Sequence, residues 1–170
     1  MAEELVEEEM LGEDTQKGKF MTFRTGKETF GISISYVNEI ISMQPITGIP
    51  EVEDYIKGLI NLRGKIIPVI DVRIRFKMEP IEYNDRTCII VISVKSMLIG
   101  LIVEKIAEVD DIDDKDIVPP PTLGKKTKEH NKYVYGLARK GDSVKLLLDP
   151  EKLIREEDIE SLEELQQEEE

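Results

Sequence analysis

Short apolar runs separated by glycine, proline and polar residues are the main pattern in the first part of the chain. Residues 20–24 and 29–34 alternate apolar and polar side chains around a glycine-containing turn, which predicts a β-hairpin. Residues 35–41 predict a tight turn and a third strand. Two further apolar runs flank Gly64, and because glycine readily adopts turn conformations, residues 58–71 predict a second hairpin.

The second part of the chain repeats this pattern and then changes to a helical one. Asp149 followed by Pro150 is typical of a helix start, with aspartate as the cap and proline in the first turn.

Residues 51–57, in the first part of the chain, predict a short helix that Gly58 would end. Pro68 removes one backbone donor, which favours an edge strand or a bulge. The remaining predicted strands cover residues 87–94, 97–103, 106–112, 133–138 and 144–148.

About ten short strands and one C-terminal helix predict an all-β protein. The same order of strands and turns occurs in residues 19–79 and 80–149, and this repetition favours two small barrels over one sandwich. We expect a disordered acidic N-terminus over residues 1–18, one subdomain over 19–79, a second over 80–155, and an acidic C-terminal tail over 156–170.

The net charge of −13 is concentrated at the two ends of the chain. Residues 1–19 contain seven acidic and two basic residues, and residues 151–170 contain ten acidic and two basic residues, so the part between them is neutral. Nucleic-acid binding needs a clustered excess of Lys and Arg, which this distribution does not supply. The short basic run at residues 125–132 is typical of a solvated loop.

The residues that could support catalysis or metal binding are few. The chain has one cysteine and one histidine, His130, which lies in the basic run. The aspartates of residues 110–116 resemble a calcium loop but lack its central glycine and closing glutamate, so a solvated acidic turn is favoured. No apolar stretch approaches the ~20 residues that span a bilayer. The acidic N-terminus is unlike a signal peptide, and we expect a cytoplasmic protein.

Several blocks of the sequence resemble the CheW family of chemotaxis coupling proteins. The most specific block reads GLINLRGKIIPVID at residues 58–71, and the resemblance extends from about Phe20 to Ile154. Gly48 and Glu104 depart from the residues that the family often has at these positions. Further matching blocks are FGISISYVNEI at residues 30–40, ITGIP at 46–50, IGLIVEKI at 99–106 and LLD at 147–149.

The resemblance implies two five-stranded SH3-like barrels with a hydrophobic seam between them, a short C-terminal helix and flexible acidic termini. It also implies an adaptor without catalytic activity or cofactor. Such an adaptor couples transmembrane chemoreceptors to the histidine kinase CheA, is recruited to membrane-associated receptor arrays, and neither binds nucleic acid nor inserts into the membrane.

The resemblance also implies which residues contact these partners. Glu39 and Arg63 are expected to pair beside the seam, where Arg63 would orient a receptor helix. The expected receptor-binding residues are Val37, Glu39, Arg63, Ile89, Gly100, Ile106 and Val109. The expected contacts with the kinase regulatory domain are Ile46, Ile49 and Gly141.

Two other hypotheses belong to different functional classes. A CheW-like regulatory module of a kinase would act only in kinase–kinase assembly, although the acidic ends and the lack of an ATP-binding segment favour a free-standing protein. An SH3-like nucleic-acid binder would need a basic face with exposed aromatic side chains. The neutral part of the chain between its acidic ends argues against that second hypothesis.

Overall fold

The computed structural model describes residues 18–120 and 133–168. In these residues the strands are β1 (Lys19–Thr25), β2 (Glu28–Ser33), β3 (Val37–Ser42), β4 (Ile56–Leu62), β5 (Lys65–Asp71), β6 (Cys88–Val94), β7 (Met97–Val103), β8 (Lys105–Asp111), β9 (Ile117–Val118), β10 (Val134–Lys140) and β11 (Ser143–Leu148). The α-helices are α1 (Val72–Arg75), α2 (Pro150–Leu153) and α3 (Glu156–Glu168), and two short 3-10 helices cover Ile34–Tyr36 and Asp114–Asp116.

The strands form two sheets, which confirms the prediction of an all-β protein. The six-stranded sheet has the order β8-β1-β2-β11-β10-β9, and the five-stranded sheet has the order β3-β6-β7-β5-β4. The first sheet has six strands where five were expected, because the two-residue strand β9 pairs with β10. The SH3-like classification of the two sheets stays a prediction.

The expected division at residue 80 does not coincide with the two sheets. The six-stranded sheet combines β1 and β2 with β8 to β11, whereas β3 to β7 form the five-stranded sheet. Strand β6 explains this arrangement, because its two faces are both apolar. Ile89 and Val91 face one core and Ile90 and Ile92 face another, so β6 has to lie between two packed layers.

The buried apolar residues form three clusters, of which only the largest joins the two sheets. The largest, here called the inter-sheet core, includes Phe23 and Phe30 of the six-stranded sheet and Ile90 and Leu101 of the five-stranded sheet. A second cluster fills the concave side of the five-stranded sheet, with Ile60, Ile67, Val69, Ile89, Val91 and Ile102. A third cluster inside the six-stranded sheet is smaller, with Phe20, Ile112, Ala138 and Leu147.

The predicted hairpin at residues 58–71 is confirmed as β4 and β5. Arg63 and Gly64 form its turn with φ values of 51° and 87°, and the Asn61 side chain closes the turn by accepting the Gly64 N–H at 2.9 Å. Of the two positions predicted for Pro68, the edge strand is wrong, since β5 lies between β4 and β7. The pairing of β4 with β5 does contain a bulge, between Ile56 and Gly58, next to the Leu59–Pro68 pair. The parallel pairing with β7 begins at Val69, one residue after the proline.

The predicted helix at residues 51–57 is wrong, because β4 begins at Ile56. Gly58 has a φ of 146°, and a Cβ atom there would collide with the carbonyl oxygen of Thr47. The glycine therefore permits a close approach of two backbones. Thr47 and Leu59 exchange backbone hydrogen bonds of 2.9 and 2.8 Å, which tie the segment after β3 to β4.

The C-terminal part of the chain begins as predicted and then differs. Asp149 caps α2 by accepting the Glu151 N–H at 3.0 Å, which confirms the predicted helix start. The expected C-terminal helix is present in two parts, α2 and α3, and α3 includes residues 156–168 of the expected acidic tail because Ile159 and Leu162 are buried against the fold. The terminus predicted at residues 1–18 and the basic run at 125–132 lie outside the described residues, Gly18 excepted.

Candidate functional site

Four apolar side chains on β3 and β8, which are edge strands of the two sheets, lie at the margin of the inter-sheet core. Two of them are exposed, Ile40 at 41% and Val109 at 47%. Val37 and Ile106 are half-buried and pack against the core. We call these four residues the seam.

Cross-strand pairing explains why the seam residues share one boundary. Ile40 on β3 lies opposite Ile90, and residues directly opposite each other in a sheet project to the same face. By the same rule the side chain of Val109 on β8 projects to the same face as that of its partner Met21 on β1. Ile90 and Met21 both belong to the inter-sheet core, so Ile40 and Val109 are the exposed margin of that core. Ile40 was missed as a site residue, although its position on an apolar edge strand could have indicated it.

Cys88 lies next to the seam and links it to β8. It pairs with Ser42 at the end of β3, and its thiol forms a hydrogen bond with the backbone of Ile106. Burial raises the pKa of the Cys88 thiol. The thiol is therefore held protonated at neutral pH, as expected for a packing residue and not for a nucleophile.

The ion pair of Glu39 and Arg63, expected from the resemblance, is present. Arg63 Nη2 contacts Glu39 Oε1 across the two edge strands β3 and β4. The Arg63 side chain is 70% exposed and that of Glu39 is 27% exposed, so the pair lies in water and is not buried. Glu39 lies opposite Val91 in the pairing of β3 with β6, so its side chain projects from the face of the sheet opposite the seam. An exposed pair of this kind contributes about 0–1 kcal/mol to stability.

Two of the expected receptor-binding residues lie inside the protein. Ile89 is completely buried in the cluster on the concave side of the five-stranded sheet. A Cβ atom at Gly100 would lie 2.7 Å from side-chain atoms of Ile89 and of Val69, so Gly100 is a packing position. Neither residue presents a surface to a docking helix, and both are left out of the proposed receptor surface.

The residues expected to contact the kinase lie on different sheets. Ile46 packs on the concave core of the five-stranded sheet, and Ile49 packs on the inter-sheet core. Gly141 forms the turn between β10 and β11 with a φ of 63°, and no atom lies within 4 Å of where its Cβ would be. The positions of Ile46, Ile49 and Gly141 are compatible with two separate contact surfaces, one for each sheet.

The aspartates of residues 110–116 do not form a metal site. The predicted acidic turn follows the end of β8, and Asp111, Asp113 and Asp114 are exposed. Asp110 differs from the prediction, because it is buried and pairs with Lys145. Within residues 18–120 and 133–168 no group of three His, Cys, Asp or Glu side chains is placed to hold a metal ion. No helix in the same residues is long and apolar enough to cross a membrane.

Comparisons with known proteins agree with this geometry. A family model described as the CheW-like domain matches residues 19–158. The chemotaxis protein CheW of Klebsiella aerogenes is 32% identical over 149 residues, which cover 88% of this chain and 89% of that protein. The chemotaxis protein CheW of Treponema pallidum is 31% identical over 148 residues, or 85% and 86% of the two chains.

A solved structure gives the same result. The crystal structure of the scaffolding protein TtCheW from Thermoanaerobacter tengcongensis superposes with a TM-score of 0.73 at 35% identity. The superposition covers 80% of this chain and 91% of that one. The chain therefore belongs to the CheW-like family of chemotaxis scaffold proteins, and it is an adaptor and not an enzyme.

Proposed function

We propose that this protein couples transmembrane chemoreceptors to the histidine kinase CheA, and that it does so at membrane-associated receptor arrays from the cytoplasmic side. The observation that carries the proposal is the seam, an apolar strip left open at the margin of a closely packed core. Isolated apolar side chains are normal on protein surfaces, but contiguous strips mark interaction sites. An amphipathic helix is the natural occupant of a strip between two packed layers.

The seam and the ion pair have different tasks in this proposal. The half-buried Val37 and Ile106 and the exposed Ile40 and Val109 provide apolar area for a receptor helix. Arg63, held in place by Glu39, adds a charge at the end of the neighbouring hairpin. Exposed charges at the rim of an interface set orientation and association rate more than affinity.

The kinase is proposed to contact the protein at sites away from the seam. Ile46 and Ile49 belong to the segment that joins β3 to β4, and Gly141 belongs to the hairpin of the other sheet. Because these positions lie outside the seam, a receptor and the kinase regulatory domain can be bound together. Simultaneous binding is the property that an adaptor needs.

A reconstitution experiment tests the proposed function. The protein is mixed with CheA and a receptor cytoplasmic fragment, and kinase activity and co-sedimentation are measured. Val109→Asp should abolish receptor-dependent activation, whereas Ile81→Asp should retain it. Ile81 is the matched control because it is also an exposed aliphatic residue, at 42% against 47% for Val109, and it belongs to neither proposed contact surface.

The outcomes of this experiment separate the two parts of the proposal. Activation by the Val109→Asp protein equal to that of the unmodified protein would remove the seam as the receptor site. Failure of the unmodified protein to bind either partner would overturn the coupling function itself. Circular dichroism of each variant checks that the fold is retained.

A further inference from the structure

A groove separates α3 from the loop that leads into β4. Its volume is about 350 Å³, and its apolar lining comes from Ile49, Val52, Ile56 and Leu162. Ile56 and Leu162 form a buried floor, with 5% and 1% of their surface exposed, whereas Ile49 and Val52 are half-buried walls. We call this feature the α3 groove.

The volume of the α3 groove is large enough for a side chain from another molecule. A dry apolar cavity of about 150 Å³ holds a benzene ring, and the α3 groove is more than twice that size. Part of its wall is the half-buried Ile49 and Val52, which would gain apolar contacts if the space were filled. The groove is open to solvent and its exposed lining is partly polar, so the part that an aliphatic or aromatic side chain fits is the space beside Ile49 and Val52.

The rim of the groove has a strong excess of negative charge. Four carboxylates line it, those of Glu51, Glu53, Asp158 and Glu164. Arg155 pairs with Glu53 at 2.9 Å and with Asp158 at 3.2 Å, which leaves the exposed Glu51 and Glu164 outside this ion-pair network.

The helix itself adds to this negative potential. Helix α3 ends at Glu168 and has no basic residue in its last turn. The C-terminal end of a helix carries a partial negative charge, which favours cations nearby. Of the groove residues of α3, Glu164 lies nearest that end, four residues before Glu168. The exposed carboxylates of the rim favour a positively charged neighbour.

We propose that the α3 groove binds a segment of a partner protein in which an aliphatic or aromatic side chain is flanked by lysine or arginine. The apolar side chain fills the space beside Ile49 and Val52. The flanking cations lie against Glu51 and Glu164. This surface is distinct from the seam and shares Ile49 with the proposed kinase contacts, and the inference rests on the groove's own chemistry and not on receptor coupling.

The test uses the full chain and a labelled synthetic peptide, Gly-Lys-Lys-Leu-Phe-Lys-Lys-Gly, with binding followed by fluorescence anisotropy. Saturable binding that weakens with added salt is expected. Replacing the leucine and phenylalanine of the peptide by serine should remove the binding, and so should replacing its lysines by glutamate. Val52→Trp, which fills the groove, should abolish binding of the original peptide.

Charge variants of the protein provide a matched comparison. Glu51→Lys/Glu164→Lys should weaken peptide binding by about tenfold, since each reversal replaces an attraction of exposed charges by a repulsion. Glu28→Lys/Glu160→Lys changes the net charge equally at exposed positions outside the groove, and it should leave affinity unchanged. All four substituted positions are solvent-exposed, so the fold is retained in both variants.

Three results would overturn the inference. One is the absence of saturable binding by the original peptide. Another is equal binding by the serine-substituted peptide, which would show general charge attraction. The third is self-association of the unmodified protein in sedimentation that Glu51→Lys/Glu164→Lys abolishes, because the occupant would then be a second copy of this chain.

Discussion

Arg63 and Glu39 join the two edge strands of the five-stranded sheet, although β3 and β4 are its first and last members. The backbone bridge between Thr47 and Leu59 joins the same two parts of the chain. The sheet is therefore curled until its edges meet. Because the backbone already makes this connection, the ion pair is not needed to hold the sheet closed.

We predict that Arg63→Glu changes function much more than stability. The pair is exposed, so its loss should lower the free energy of unfolding by at most about 1 kcal/mol. Urea denaturation measures this change, and receptor-dependent kinase activation measures the effect on function, which should be lost. A double-mutant cycle of Arg63→Ala and Glu39→Ala, which removes the pair without creating like-charge contacts, should give a coupling energy of about 0–1 kcal/mol. Retained activation would show that Arg63 is outside the receptor site.

Gly100 should be intolerant of any side chain, for a reason of packing. A Cβ atom there would lie 2.7 Å from the side chains of Ile89 and Val69, and these are completely buried. Gly100→Ala is expected to cost about 1–3 kcal/mol of unfolding free energy, as overpacked cores do. Thermal and urea unfolding measure the cost, and Val69→Ala in the same chain should recover part of it.

Gly48→Ala is the control for this substitution. No atom lies within 4 Å of where the Cβ of Gly48 would be, and its φ is not in the left-handed region. We expect a change of less than about 0.5 kcal/mol, typical of a surface position. Equal destabilisation by the two substitutions would mean that the loss at Gly100 does not come from packing against Ile89 and Val69.

The strands and turns were predictable because their signals are local. Alternation of apolar residues and a left-handed turn at Arg63 and Gly64 both act over a few residues. The helix predicted at residues 51–57 failed because the actual constraint on Gly58 is Thr47, which is distant along the chain and reaches it through a backbone bridge. The helix propensity of residues 51–57 was overridden by the backbone pairing of Thr47 with Leu59.

The receptor-binding residues were expected from the family resemblance, and the structure brings only some of them to the surface. Val37, Ile106 and Val109 lie on the seam, whereas Ile89 and Gly100 are packed inside the five-stranded sheet on β6 and β7. Ile89 and Ile90 are adjacent identical residues on β6, so the sequence does not indicate which face of the sheet each side chain projects to. Only the pairing of β6 with β3 and β7 assigns these faces.

Asp110 and Lys145 illustrate a contact that the sequence could not reveal. They belong to β8 and β11, which are not neighbours in the six-stranded sheet, yet they form a buried ion pair inside it. Lys145→Met should lower the free energy of unfolding by about 3–5 kcal/mol, because it leaves a buried carboxylate without its partner. Urea denaturation measures this loss.

Two further variants test the cause of that loss. Lys145→Met/Asp110→Leu should recover most of the stability, since removing both charges leaves none unpaired. Lys140 also approaches Asp110, at 3.5 Å, but its side chain is 57% exposed, so Lys140→Met should cost no more than about 1 kcal/mol. A loss that persists in the double variant would indicate that the lysine's aliphatic chain, and not its charge, supports the sheet.

Tyr55 should make the docking of α3 sensitive to alkaline pH. It is 6% exposed, and its hydroxyl donates to Asp158 Oδ2 at 2.5 Å. Burial, and then the hydrogen bond to Asp158, raise the pKa of Tyr55 above its ordinary value. The unfolded chain therefore ionises this phenol from about pH 10, while the folded protein keeps it neutral. The stability that Tyr55 contributes is complete below that pH and is lost as the pH rises further.

Tyr55→Phe tests this linkage. At neutral pH the variant should be less stable by about 1.5–3 kcal/mol, the range for a hydrogen bond to a charged group. Above about pH 10 the difference should shrink, because only the unmodified protein then loses the contribution of the phenol. Urea unfolding of both proteins across this range measures the difference. If the difference in unfolding free energy between the two proteins stays constant with pH, the hydrogen bond from the Tyr55 hydroxyl to Asp158 is not what keeps this phenol neutral.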